Sequence, residues 1–443
     1  MRVKLTIAAL LTSVCAMAQN PFITHIYTAD PTARVHNGKL FVYPSCDMIP
    51  EGEMSTKPGF FMPGYHVFSL ENGSTWKDHG WVVKEADVEW TKKGIEAMWA
   101  PDCIEKDGKF YLFFPARDKE NYGRRIGVGV ANNPEGPFTW EPSYIEGIEG
   151  IDPGLLLDDD NQAYLFFDSG DFFQVARLSD DMTKIKEAAV RVEGLPGGFK
   201  EGAFPFKKDG VYYLTFAHIF NEEGFTIGYA TSDKPMGPYQ YQGKIMDNIG
   251  DGTNHHSIVE YDGRWIFFYH NWAVSGMRKL RSICADYMEF NANGTIKKVE
   301  PTLRGIGYPT LRDTIQIDRY SAINGAQTAF VSGGEPKGWM VCEAKTGSTV
   351  TFTDVDFANG EATKMVARMA SGQRLGSVEV RKDNAEGDLI ASFPIKYTGG
   401  WDSWVTVESE IETKLTGLHD ICVVFTSENG STKTANLNWL MLE

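Results

Sequence analysis

KEGAFPFKKDGVYYLTFAH, residues 200–218, is two apolar strands joined by a Lys-Lys-Asp-Gly turn, with one acid, Glu201, at the mouth of the first strand. Asp-Gly between alternating aromatic runs is a hairpin signal. The unit recurs as VHNGKLFVYPS, EKDGKFYLFFPA, DDDNQAYLFFDS and EYDGRWIFFYHN, with turns centred on Gly38, Gly108, Asn161, Gly210 and Gly263. The intervals between turns are 70, 53, 49 and 53 residues, one supersecondary unit each. Further short strands fill each interval, such as RRIGVGVANNPEGPFTW and FTIGYATSDKPMGPYQY, both with a Gly-Pro-aromatic ending. About four antiparallel strands repeated radially make a propeller blade. The chain therefore reads as all-β: a five-bladed β-propeller over 19–313, with RSICADYMEF and GTIKKVEP as the outer strands of the last blade. Two stacked β-sandwiches are the competing architecture.

Aligned on their turns, the repeats carry Asp30, Ala100, Asp152, Glu201 and His255 eight or nine residues upstream, where the innermost strand of each blade begins. Innermost strands line the axis, so three carboxylates and a histidine share one funnel, with Trp99 beside them. Converging carboxylates repel one another and raise at least one pKa. Unpaired, they would be a poor device for stability. An acid and a base in an aromatic funnel suit glycoside hydrolysis. Asp102 and Glu96 flank Trp99 but miss the aligned position, and Asp158, Asp159 and Asp160 read as a solvated turn.

Composition narrows the setting. The 443 residues carry a formal charge of −16, which argues against nucleic acid or anionic membrane as partner. Aromatic residues make up 13% of the chain, as suits a β-protein whose grooves meet flat sugar rings. MRVKLTIAALLTSVCAMAQN has a basic start, a short apolar run and Ala16-Met17-Ala18, so residues 1–18 read as an export signal and the protein as periplasmic or secreted. The five cysteines that follow (Cys46, Cys103, Cys284, Cys342 and Cys422) show neither disulfide nor zinc spacing and read as small buried residues.

YTADPTARVHNGKLFVY, MWAPDCIEKDGKFYLFF, GIDPGLLLDDDNQAYLFF, KEGAFPFKKDGVYYLTFA and TNHHSIVEYDGRWIFFYH together resemble the five blades of glycoside hydrolase family 43. The resemblance implies an inverting hydrolase that removes terminal α-L-arabinofuranosyl or β-xylosyl units from plant polysaccharide. Endo-arabinanase, galactan-cleaving and inactive glycan-binding members are the alternatives. It implies Asp30 as general base, Glu201 as general acid and Asp152 as the carboxylate that orients Glu201 and raises its pKa. His255 or His256 matches an axial histidine near a calcium ion, usually through water, and His255 holds the aligned position. Arg281 matches a residue that reaches the sugar, Asp47 borders the sugar site, and Trp99 forms a wall beneath a ring. No cofactor is required for the chemistry. The insertion MIPEGEMSTKPGFFMPGYH is long enough to shape the rim.

After residue 313 the pattern becomes short alternating strands with Gly, Asp and Asn turns, a β-sandwich over 314–443. VDFANGEATKMVARMASG, GSVEVRKDNAEGDLI, TGGWDSWVTV, GLHDICVVF and ANLNWLML resemble carbohydrate-binding module family 6. That resemblance implies a sugar grip by Trp401 and Asn436, with Thr349 where a second aromatic is expected, and a structural calcium ion in this domain.

Overall fold

A computed structural model describes residues 20–49, 59–71, 75–170, 172–219, 224–250, 253–307, 309, 313–331, 339–427 and 433–443. The export signal and residues 50–58 of the insertion lie outside the described residues. Five sheets follow in chain order. Four have four strands each, and their innermost members are Thr28–His36 (blade I), Asp102–Lys106 (II), Ile151–Leu157 (III) and Lys200–Lys208 (IV). Blade V has three strands, led by Ser257–Tyr261. The chain is a five-bladed β-propeller followed by a β-sandwich.

The unbroken aromatic runs have a packing cause. Strands buried on both faces lose the apolar-polar alternation of half-exposed ones. Tyr111 and Phe113 of blade II face the core shared with blade III, while Leu112 and Phe114 between them face the core shared with blade I. Five such clusters, one per blade interface, hold the ring. The hairpins behave as Asn-Gly and Asp-Gly should. Asn37-Gly38, Asp107-Gly108, Asp209-Gly210 and Asp262-Gly263 all take positive φ at both residues. Asp102 is a strut: it accepts from Arg34 Nε and Nη2 (3.0 and 2.5 Å) and from the Leu155 amide (2.7 Å), tying three blades together.

Blade V corrects the sequence reading. Residues 281–290 contain the third strand, Ser282–Met288, but 294–301 form no fourth strand; they make an isolated Phe290–Ile296 bridge. The outer edge is taken by the start of the described chain, where Phe22 N donates to Ile283 O (3.3 Å) and Thr28 N to Arg281 O (2.9 Å). The Asn20 side chain imitates a strand amide there, accepting from Ala285 N (2.7 Å) and donating to Ala285 O (3.0 Å). Closure thus joins the two ends of the propeller. A fourth strand from 294–301 would compete for that edge.

The sandwich stacks a sheet built on Asn436–Leu442, Lys364–Ser371 and Gly400–Glu410 against one built on Thr349–Asp356, Leu418–Thr426 and Ser377–Lys382. Phe352, Met365, Val380, Phe425 and Leu440 lie in the core between them. Polar contacts tie the sandwich to the propeller: Arg264 Nη1 to Asp354 Oδ2 (2.6 Å), Arg304 Nη2 to Thr353 O (3.1 Å), and Arg319 to the Asn20 carbonyl. All five described cysteines are free and buried. Among the described residues no helix is long and apolar enough to cross a membrane.

Candidate active site

A cavity of about 230 Å³ opens on the propeller axis, lined by Asp30, Asp152, Glu201, His255, Arg281 and Trp99 among others. Local backbone geometry aims the acids. Each of the three inner strands carries a bulge at its axial end, between Ala29 and Thr32, opposite Phe166–Asp168, and between Glu201 and Phe204. Bulges bend a strand and redirect a side chain. The residue in the left-handed region is Asp30 (φ 49), Asp152 (φ 51) and Gly202 (φ 67). Glu201 therefore stands one residue before the point that Asp30 and Asp152 occupy. Gly202 is required twice over, because a Cβ there would meet His255 Nδ1 at 2.9 Å and the φ is unfavourable for other residues.

Asp30 is buried and fully engaged. Its carboxylate accepts from Ser45 Oγ (2.6 Å) and Arg281 Nη1 (3.0 Å). Burial alone would raise its pKa, but Arg281, the nearby histidines and Ser45 hold it down at about 2. Its amide donates to His270 Nδ1 (3.0 Å), while His270 Nε2 lies 2.8 Å from the Thr253 carbonyl. A neutral imidazole with its proton on Nε2 satisfies both bonds. Burial and Arg281 accordingly depress the His270 pKa to about 3.

Glu201 has the opposite environment. Burial and the carboxylates of Asp168 and Asp30 push it up to about 8. Asp152 is raised too, by burial and then by Glu201, Asp168 and Asp30, and accepts a hydrogen bond from the Gly202 amide (3.2 Å). Oxygens of Asp152, Asp168 and Glu201 all lie within 4.8 Å of one another. They cannot all ionise in a buried site, so the group keeps a proton at neutral pH. One carboxyl held ionised and another held protonated in one cavity is an acid–base pair.

The other predicted residues divide. Trp99 and His255 line the cavity, His255 with Nδ1 3.7 Å from Asp152 Oδ2 and its pKa lowered by burial. His256 is turned away: its Nε2 lies 2.6 Å from Thr215 Oγ1, so it does not share the axis. Arg281 also lines the cavity, although fully buried, beneath the Phe60 ring at 4.0 Å. Asp47, expected to border the sugar site, is not among the residues that line the cavity. Its side chain is completely buried and clamps Arg281 through Nε and Nη2 (both 2.8 Å) and the amide (2.9 Å). A bidentate clamp fixes the guanidinium against Asp30. In the sandwich, Asn436 Nδ2 donates to the Trp401 carbonyl (2.9 Å), but Lys433 Nζ lies 4.4 Å above the Trp401 ring and occupies that face. Half-exposed Tyr397, with Arg374 5.3 Å from its ring, is a further aromatic near Trp401 in sequence.

Several residues escaped the sequence reading. Phe60 and Met62 from the insertion, Phe199, Thr253 and Asn254 all line the cavity. Asn254 is buried with neither side-chain polar atom bonded to any described residue, and Thr253 Oγ1 likewise has no partner among the described residues. Buried polar groups seek partners, and these face the cavity. Ser45, Asp168 and His270 had a findable signal. Each stands seven residues after its turn, at the end of the second strand, and each acts on a ring acid.

Comparison with known proteins identifies the family. The profile of "Glycosyl hydrolases family 43" matches residues 18–296, and that of "Carbohydrate binding module (family 6)" matches 318–443. Xylosidase/arabinosidase 43A of Humicola insolens is 37% identical over 331 residues, 63% of this chain and 99% of that protein. Arabinoxylan arabinofuranohydrolase of Bacillus subtilis is 29% identical over 477 residues, 94% of this chain and 90% of that protein. Among solved structures, a β-xylosidase/α-arabinofuranosidase from a compost metagenome, in complex with xylotriose, superimposes with a TM-score of 0.58 at 35% identity, covering 64% of this chain and 98% of its own. With its profile match spanning the whole propeller, the chain belongs to glycosyl hydrolases family 43 and is a glycoside hydrolase.

Proposed function

We propose that the protein removes terminal α-L-arabinofuranosyl or β-D-xylosyl units from arabinoxylan, arabinan or xylan with inversion. The carrying observation is the opposed pair in one cavity: Asp30 held down at about 2 and Glu201 pushed up to about 8. In this reading Asp30, always ionised at working pH, takes the proton of the attacking water. Glu201 delivers its proton to the glycosidic oxygen. Burial, Asp168 and Asp30, rather than Asp152, keep Glu201 protonated. Asp152, bonded to the Gly202 amide, orients it, and Arg281 fixes Asp30 while facing the sugar. Thr253 and Asn254 receive sugar hydroxyls, and Trp99, Phe60 and Met62 wall the ring. The names of the relatives support the choice of pentose.

Glycoside hydrolysis by this route needs no cofactor. The fit of a calcium ion at the axis is limited. Beside His255 stand the Thr253 and Asn254 side-chain oxygens and Asp152 at 3.7 Å, short of the six to eight oxygens calcium takes. An ion there would keep most of its water, and no step depends on it. In the sandwich, no group of three His, Cys, Asp or Glu side chains comes together among the described residues. We further propose export, on the strength of residues 1–18.

The test uses nitrophenyl α-L-arabinofuranoside and β-xyloside beside arabinoxylan and arabinan. Asp30→Asn should lose about 10²–10⁴-fold on every substrate. Glu201→Gln should lose as much on polysaccharide and far less on nitrophenyl glycosides, whose leaving group departs without a proton. NMR should show the inverted anomer first. Equal losses for Glu201→Gln on both substrate types would remove Glu201 as the acid.

A further inference from the structure

A second cavity of about 510 Å³ lies between blades II and III, and it shares Arg124 and Asp168 with the catalytic cavity. Its wall is the turn of residues 118–123, which is pinned in place. Asp118 Oδ1 accepts from the amides of Glu120 (3.0 Å) and Asn121 (2.8 Å), and Asp118 Oδ2 holds Arg125 Nε (3.2 Å).

Three arginines line this cavity, and two are already engaged. Arg125 pairs with Asp118 and with Glu149 (3.4 Å). Arg117 donates to the Tyr122 carbonyl (3.0 Å) and lies 5.3 Å from the Trp99 ring centroid. Arg124 is different. It is exposed at the junction of the two cavities, and its side chain makes no hydrogen bond or ion pair with any described residue. The chain carries a net charge of −16, so a cation left unpaired at the catalytic mouth calls for a reason. It does not serve the acid. Arg124 lowers the proton affinity of Glu201, opposing Asp168 and Asp30. A substrate anion resting on Arg124 would cancel that effect. Planar guanidinium recognises planar carboxylate in two parallel hydrogen bonds, and the one carboxylate native to plant polysaccharide chemistry is that of a uronic acid.

Resting on the glycosidase reading above, we propose that this second cavity receives the leaving-group side of the substrate and that Arg124 binds a uronic-acid carboxylate there. The enzyme then prefers acid-decorated polysaccharide to the neutral backbone of the same sugar.

The test compares kcat/KM for two oligosaccharides that differ only in one glucuronosyl branch next to the sugar released. The wild-type enzyme should favour the acidic one by about 3- to 10-fold at low salt, and the preference should shrink at high salt. Arg124→Gln should bring the ratio to about one, Arg124→Glu should take it below one, and Arg124→Lys should retain part of it. Because each variant is scored by its own ratio, a general loss of activity does not mimic the effect. A wild-type ratio of one or less, or a ratio unchanged in Arg124→Gln, overturns the proposal while leaving the glycosidase reading intact. Hydrolysis of neither oligosaccharide would instead overturn the glycosidase reading, and this proposal with it.

Discussion

As the proposed acid, Glu201 would work only while it holds a proton, and its raised pKa states where that ends. An acid whose pKa is moved from 4.5 to about 8 stays protonated as pH rises through the usual carboxylate range and ionises near pH 8. The alkaline limb of kcat/KM on oligosaccharide should therefore fall near pH 8, with no acid limb from Asp30 above its depressed value of about 2. Asp168 is the leading charged neighbour behind the Glu201 shift. Replacing it with Asn keeps an acceptor for the Gly170 amide (2.7 Å) but removes the charge. A negative neighbour removed means a lower Glu201 pKa, so Asp168→Asn should move the alkaline limb down by about one unit. A pH profile that does not move would assign Asp168 to packing alone.

At the scale of elements, three inner strands bulge where their acids point into the axis, and the strain of a left-handed Asp30 and Asp152 is stored at the site rather than spread along the strand. The remaining element of consequence is the clasp at the start of the described chain. Asn20 Nδ2 donates to Ala285 O (3.0 Å), Asp286 Oδ2 (3.1 Å) and Thr302 O (2.8 Å), and its Oδ1 accepts from Ala285 N (2.7 Å). Asn20→Ala leaves those buried groups unsatisfied and should destabilise the fold by about 2–4 kcal/mol. Denaturant titration should show the loss, with the kcat of the remaining folded enzyme near wild type. Asn20→Asp, which keeps an acceptor for Ala285 N but sets a second charge beside Asp286, should be no better.

The whole molecule joins a catalytic ring to a sandwich, and among the described residues the sandwich supplies none that line the catalytic cavity. It also braces the ring: Arg319 reaches the Asn20 carbonyl at the clasp, and Asp354 holds Arg264 on blade V. A chain ending at residue 313 should therefore melt several degrees lower, about 1–2 kcal/mol less stable, from lost hydrogen bonds to charged groups. Its turnover of nitrophenyl glycosides should stay within about threefold of the full chain by the same reasoning. A large loss of kcat in the truncated protein would instead give the sandwich a part in forming the site.

The repeat was legible in the sequence because each blade is buried on both faces, and that burial writes continuous aromatic runs between Asp-Gly or Asn-Gly turns. Turn-based alignment was enough to bring Asp30, Asp152, Glu201 and His255 to one axis, since position along an inner strand sets position along the funnel. Asp47 lay outside this logic. It sits beyond the end of its strand, and only the fold decides that it turns inward to clamp Arg281. Asn254 and Phe60 come from loops whose paths no strand period dictates, and Arg124 opens a strand of blade II, Arg124–Ala131, whose approach to the cavity only the fold reveals. The fourth strand expected from 294–301 failed for a related reason, because the winner of an open sheet edge is chosen by ring closure, a contact between residues more than 250 positions apart. Composition and period determined the architecture and the acid ring. The environments that separate a base at about 2 from an acid at about 8 exist only once distant blades meet, since burial and neighbouring charge are properties of the assembled ring.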